Sequence, residues 1–160
     1  MLTLTDIATL AERTLQKNGR LDPIFIFEGT KDIQTREFPN LPEPALLDLM
    51  DALGFSFAYD DQFGDLVHLF FMCETWLNKK ENVRAVDDPH RFEGIFVYQK
   101  VIQSGMWEVA CYQILYDQNG KPSELKTLKS PVSNDVVIGH VIDRFLRGFR
   151  RGLATKKAGL

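Results

Sequence analysis

The segment LVHLFFMCETW, residues 66–76, constrains this chain more than any other. Apart from His68, both faces of its two-residue alternation are apolar from Leu66 to Cys73, so a strand built on it must be covered on both sides. Such a strand belongs in the middle of a sheet. Three more strand patterns follow it: FEGIFVYQKVI at 92–102, WEVACYQILYD at 107–117 and SELKTL at 123–128. Ser104-Gly105 reads as a two-residue turn, which would set Val97 opposite Tyr112, Ile95 opposite Ile114 and Glu93 opposite Tyr116. Asn119-Gly120 reads as a hairpin turn with positive φ at both residues. Pro122 cannot donate to a ladder, which makes 123–128 an edge.

Ahead of the central strand, Leu4, Ile7, Leu10, Ala11 and Leu15 predict a helix over 5–18, with Thr3 and Asp6 as a capping box and Gly19 as its stop. PIFIFEG at 23–29 and IQTREF at 33–38 read as a hairpin. Prolines 39, 42 and 44 end it and introduce a helix over 43–53, closed by Gly54. Residues 55–65 fit either another helical turn or an irregular bridge. At the other end, Val137, Ile138, Val141, Ile142, Phe145, Leu146 and Phe149 form a wide apolar stripe. They predict a helix over 135–151 capped by Ser133 or Asn134, with its arginines solvated.

These elements make an α+β fold: an antiparallel meander of about four strands, extended by the N-terminal hairpin, with the helices packed on one face. Residues 1–152 are expected to form a single domain and 153–160 a flexible basic tail. The composition, 44% apolar and 26% charged in 160 residues, is that of a globular chain. No apolar run reaches the roughly 20 residues that span a bilayer, and the acidic N-terminal segment is unlike a secretory leader. Cys73 and Cys111 lie in apolar strands and read as free buried thiols. The cytoplasm is the compartment these features suggest.

The chemistry is sparse. Asp88-Pro89-His90-Arg91 fits a type I turn in which Asp88 accepts the His90 N–H, leaving Arg91 and Glu93 on one face. Glu74 and Glu93 could meet if their strands pair, and one carboxyl would then be raised, as acid–base catalysis requires. Glu74, Glu93, His90 and Arg91 are therefore the catalytic candidates. His68, His90 and His140 have no metal-ligand spacing, so neither a metal nor a cofactor is expected. No phosphate loop or nucleophile elbow is present, and serines 56, 104, 123, 130 and 133 read as turn, cap or loop residues.

Charge is unevenly placed. Residues 140–160 hold six Lys/Arg and one Asp, against 13 Lys/Arg and 21 Asp/Glu in the preceding residues. Arg144, Arg147 and Arg151 line one helical face and are the anion-binding candidates, although cations also suit a helix C-terminus for structural reasons. No aromatic residues interleave on that face, which disfavours nucleic acid as a partner.

The order E-x-W (Glu74 to Trp76), D-P-x-R-x-E (Asp88 to Glu93) and Tyr116-Asp117-x-x-Gly120 resembles a group of small prokaryotic and phage proteins. The resemblance covers roughly residues 23–130 and implies an architecture but no activity. Three functions stay open: a non-enzymatic binding or assembly module using the edge strand, a small hydrolase using Glu74 and Glu93, and a weak nucleic-acid or phosphate binder using the basic helix.

Overall fold

The structure, a computed structural model, describes every residue except Glu81, Ser130 and Pro131. Ser130, read above as a loop residue, thus lies outside the described residues. In chain order the elements are α1 (Leu4–Asn18), β1 (Ile24–Gly29), β2 (Ile33–Glu37), α2 (Glu43–Ala58), β3 (Leu66–Asn78), β4 (Phe92–Val101), β5 (Trp107–Tyr116), β6 (Pro122–Thr127), β7 (Ser133–Asn134) and α3 (Gly139–Lys157). The strands form one antiparallel sheet in the order β2-β1-β3-β4-β5-β6, with β7 pairing to the end of β3. The α+β class and the central place of β3 stand. Among the described residues the sheet has seven strands, where about four in a meander, plus a hairpin, were expected.

The helices do not share a face. Ile7, Ala11 and Leu15 of α1 pack on Ile26, Phe70, Met72, Ile95, Val97, Tyr112 and Ile114. Helices α2 and α3 pack on the opposite side, against Phe25, Phe27, Leu69, Phe71, Cys73 and Phe96. The expectation of helices on one face fails because β1, β3 and β4 are apolar on both sides, and burying both faces requires a layer on each.

The local signals were mostly sound. Thr3 Oγ1 accepts the Asp6 N–H while Asp6 accepts the Thr3 N–H, and Gly19 closes α1 at φ 75°. Gly54, by contrast, does not end α2. It lies where a Cβ would come within 2.0 Å of the Phe145 carbonyl oxygen. Gly148 meets the Asp51 carbonyl and Gly152 meets Phe55 in the same way, so α2 and α3 run side by side with their backbones nearly touching. Their glycines serve this close approach.

Both hairpin turns differ from expectation. Gly105 N donates to Val101 O and Val101 N to Met106 O, so the β4–β5 loop is longer than two residues. The register consequently moves by two: Ile95 pairs with Tyr112 and Val97 with Ala110, which keeps every side chain on its face. At 117–120 only Gly120 has positive φ, 73°. Asn119 instead donates its N–H to Asp117 Oδ1 within a turn followed by a left-handed glycine.

The last helix starts later than expected. Residues Ser133–Asn134 are spent on pairing with β3, and Asn134 Oδ1 accepts the Val136 N–H. Neither caps α3, whose N-cap is Ile138 with no side-chain cap. Val137 is consequently 76% exposed and not part of the buried stripe, while Val141, Ile142, Phe145, Leu146 and Phe149 are buried. Helix α3 continues to Lys157, so 153–157 are helical. Ser56, Ser123 and Ser133 lie within α2, β6 and β7, with hydroxyls donated to backbone carbonyls. Among the described residues, no helix is long and apolar enough to cross a membrane.

Candidate functional site

The residues singled out in the sequence converge at the β3–β4 end of the sheet. Trp76 pairs directly with Glu93 across the ladder, and Glu74 pairs with Ile95, so Glu74 and Glu93 are diagonal neighbours. Diagonal positions lie about 7–8 Å apart at Cα. Both line a cleft of about 500 Å³ with Trp76, Arg84, Val86 and Asp135. The Arg91 guanidinium covers the Trp76 ring at 4.7 Å and donates to the Val86 carbonyl at 3.0 Å. Glu93 accepts the Tyr116 hydroxyl and Glu74 accepts the Leu21 N–H. Burial raises the Glu74 carboxyl above its ordinary range; the Leu21 N–H opposes this and the Glu93 charge adds to it.

The turn ahead of β4 is as its sequence implied. Asp88 Oδ1 accepts the His90 N–H at 2.9 Å, and Arg91 N donates to Asp88 O at 3.1 Å. Asp88 itself is buried and takes a second bond from Asn78 Nδ2 at 3.2 Å. The His90 N–H is the largest influence holding its carboxyl below the usual range. His90 is exposed. The cleft is open, and each carboxylate already has a protein donor.

The three histidines are apart. His68 is buried against Glu28, Nδ1 to Oε2 2.7 Å, and His140 lies 3.5 Å from Glu43. Among the described residues there is no group of three or more His, Cys, Asp or Glu able to hold a metal.

Arg147 and Arg151 are exposed, as expected, and Arg144 is half-buried, but each is paired. All three turn toward one carboxylate of α2, Asp51, with Arg144 Nε at 3.3 Å, Arg147 Nε at 4.0 Å and Arg151 hydrogen-bonded to it. Burial would push the Asp51 carboxyl up, but Arg151, Arg144 and Arg147 outweigh it and hold the carboxyl below its ordinary value. The cations face an internal anion because Gly148, between them in sequence, brings α3 onto Asp51.

Sequence reasoning missed a third surface. Helix α3 covers the β1 side of the sheet and leaves a corner open near the start of β5. There Phe96, Tyr98, Trp107, Val109, Val136, Val137 and Ile138 line a groove of about 450 Å³. Trp107 stacks on Tyr98, with ring centres 6.1 Å apart and planes at 10°, yet remains 64% exposed. The available signal was a tryptophan at a strand start just after a turn, with no sequence neighbour to bury it. Lys100 and Asp143 face each other at 3.9 Å at the groove rim.

Pro122 implied an edge strand, and β6 is one end of the sheet. β6 is an edge, but α1 covers part of it: Leu125 N donates to Glu12 at 2.9 Å and Ser123 O accepts from Gln16. The ladder between β5 and β6 spans Tyr112 to Tyr116 on β5, and Leu128 N donates to Cys111 O. Val101 N donates to Met106 O, so alternation turns the backbone groups of Trp107 and Val109 away from β4. No family model matches this chain, and no curated protein or solved structure matches it either.

Proposed function

We propose that the chain is a non-catalytic binding module that takes an apolar segment of a partner protein in the groove beside Trp107 and Val109. The observation that carries this reading is Trp107, 64% exposed yet stacked on Tyr98, lining an apolar groove with Val109, Val136 and Val137. An aromatic ring held at the wall of such a groove is the usual anchor of a protein interface. Titration with a mixed library of apolar peptides should give saturable binding. Trp107→Ala should abolish that binding while shifting stability by no more than about 0.5 kcal/mol, as expected of an exposed side chain. Equal binding by the native protein and Trp107→Ala would refute the reading.

A second reading, a small hydrolase using Glu74 and Glu93, is favoured by the raised Glu74 carboxyl beside Glu93 on one face of the cleft. Glu93→Gln should abolish any activity found in a hydrolase screen while leaving the urea midpoint unchanged. Full activity in that variant would remove this reading.

A further inference from the structure

We infer that the β6 edge is a latent interface between two copies of this chain, which Glu12 and Gln16 of α1 hold closed. This surface is separate from the groove at Trp107, none of whose lining residues belongs to β6. β6 ends the sheet, and its backbone alternates between groups bonded to β5 and groups turned outward. Leu125 and Ser123 are of the outward kind: Leu125 N donates to Glu12 Oε2 at 2.9 Å, and Ser123 O accepts from Gln16 Nε2 at 2.6 Å. Four helical residues rise about 6 Å and two strand residues about 6.8 Å, so Glu12 and Gln16 match the spacing of Leu125 and Ser123. A carboxylate and an amide thus take the bonds that a further strand would take.

The cover consists of side chains, which turn at their own dihedral angles. Helix α1 itself is fixed by Ile7, Ala11 and Leu15, all buried against the sheet. Gln16 is exposed and Glu12 half-buried, so rotamer changes alone swing both off the edge while the helix stays in place. The outward groups of Ser123 and Leu125 are then offered to another strand.

The sequence of β6 selects a second copy as that strand. Two β6 edges related by a two-fold axis through Leu125 exchange the Leu125 N–H and C=O bonds. Antiparallel register then sets Glu124 opposite the partner's Lys126, and Lys126 opposite the partner's Glu124. Leu125 packs with the α1 layer, so Glu124 and Lys126 lie on the other face, where both are exposed. They fall at non-hydrogen-bonded pairs, in which cross-strand side chains come closest. Two symmetry-related ion pairs result. Centring the axis on Glu124 or Lys126 sets like charges opposite each other, so the charges choose the register.

Sedimentation equilibrium of the full chain tests this interface. The native protein should be monomeric, and the double variant Glu12→Ala/Gln16→Ala should dimerise. Gln16→Ala alone, a change at an exposed position, should raise association in the same direction. Glu12→Gln, whose amide oxygen still accepts the Leu125 N–H, should stay monomeric. In the double-variant background Glu124→Lys should weaken the dimer about tenfold, the scale of turning two cross-strand attractions into repulsions. Lys126→Glu should weaken it equally, and mixing the two charge variants should restore it because their charges are complementary. Trp107→Ala should leave the dimer unchanged, which separates this edge from the groove. No rise in association in either Gln16→Ala or the double variant would overturn the inference. A dimer indifferent to Glu124→Lys would overturn the register, and a native protein that dimerises as tightly as the double variant would overturn the closing role of Glu12 and Gln16.

Discussion

Gly148 of α3 rests on the backbone of Asp51 in α2: a Cβ at that position would lie 1.9 Å from the Asp51 carbonyl oxygen. The obstacle is main chain, so no rotamer change relieves it. Gly148→Ala should therefore destabilise by roughly 1–3 kcal/mol, the usual cost of overpacking, despite alanine's helix propensity. Gly139, with nothing within 4 Å of its Cβ position, is the control. Gly139→Ala should be neutral or slightly stabilising in urea denaturation.

Phe145 is fully buried and touches Phe27, Phe57 and Phe149. Its truncation removes contacts to β1, α2 and its own helix together. Phe145→Ala should cost about 3–5 kcal/mol. Val137→Ala, a change at an exposed position ahead of α3, should stay within about 0.5 kcal/mol. Equal losses in the two variants would contradict this placement of the helix start.

Asp51 links stability to pH. Its carboxyl lies below the ordinary 3.8 when folded, so its contribution is present above the unfolded value and is lost as pH falls through the folded one. Asp51→Asn should flatten the urea midpoint between neutral pH and pH about 3, at a neutral-pH cost of about 1–2 kcal/mol given the exposure of its arginine partners. The same variant frees Arg144, Arg147 and Arg151 from their internal anion. Native protein should show no saturable shift with nucleic acid at low salt, and Asp51→Asn should bind it more tightly. Tight binding by the native protein would restore the basic helix as an anion site.

Cys73 and Cys111 should be inert toward thiol reagents until the protein unfolds. Burial pushes their thiols up to about 12 and about 11, and only the thiolate reacts. Both pair with Phe96 from opposite sides of β4, two strand spacings of about 4.8 Å apart, which is too far for a disulfide. Native-state labelling should be slow for both, with two thiols titrating in denaturant.

The candidate residues of the cleft were legible in the sequence, but their convergence was not. Glu74 and Trp76 lie on one strand pattern and Glu93 on the next, but the register that makes Glu74 and Glu93 neighbours crosses the long 77–90 loop and was settled only by the fold. Asp88 accepts the His90 N–H because the Asp-Pro turn dictates it. The groove was not legible, because whether Trp107 is covered depends on where α3 lands and not on β5.

Sequence alone determined what acts over a few residues: the capping box at Thr3 and Asp6, the stop at Gly19, the side-chain faces of β4 and β5, and the edge position of β6. The apolarity of residues 66–73 on both faces also required a sheet covered twice, although the helices were first placed on one side. Tertiary structure decided the rest. Gly54 reads as a helix stop until α3 presses against it, and the pairing of three arginines with Asp51 exists only because α2 lies beside them. Local signals report the preferences of a backbone with its near neighbours. A close helix–helix approach joins residues some ninety positions apart, and its energy exists only once both helices are packed on the same face of the sheet.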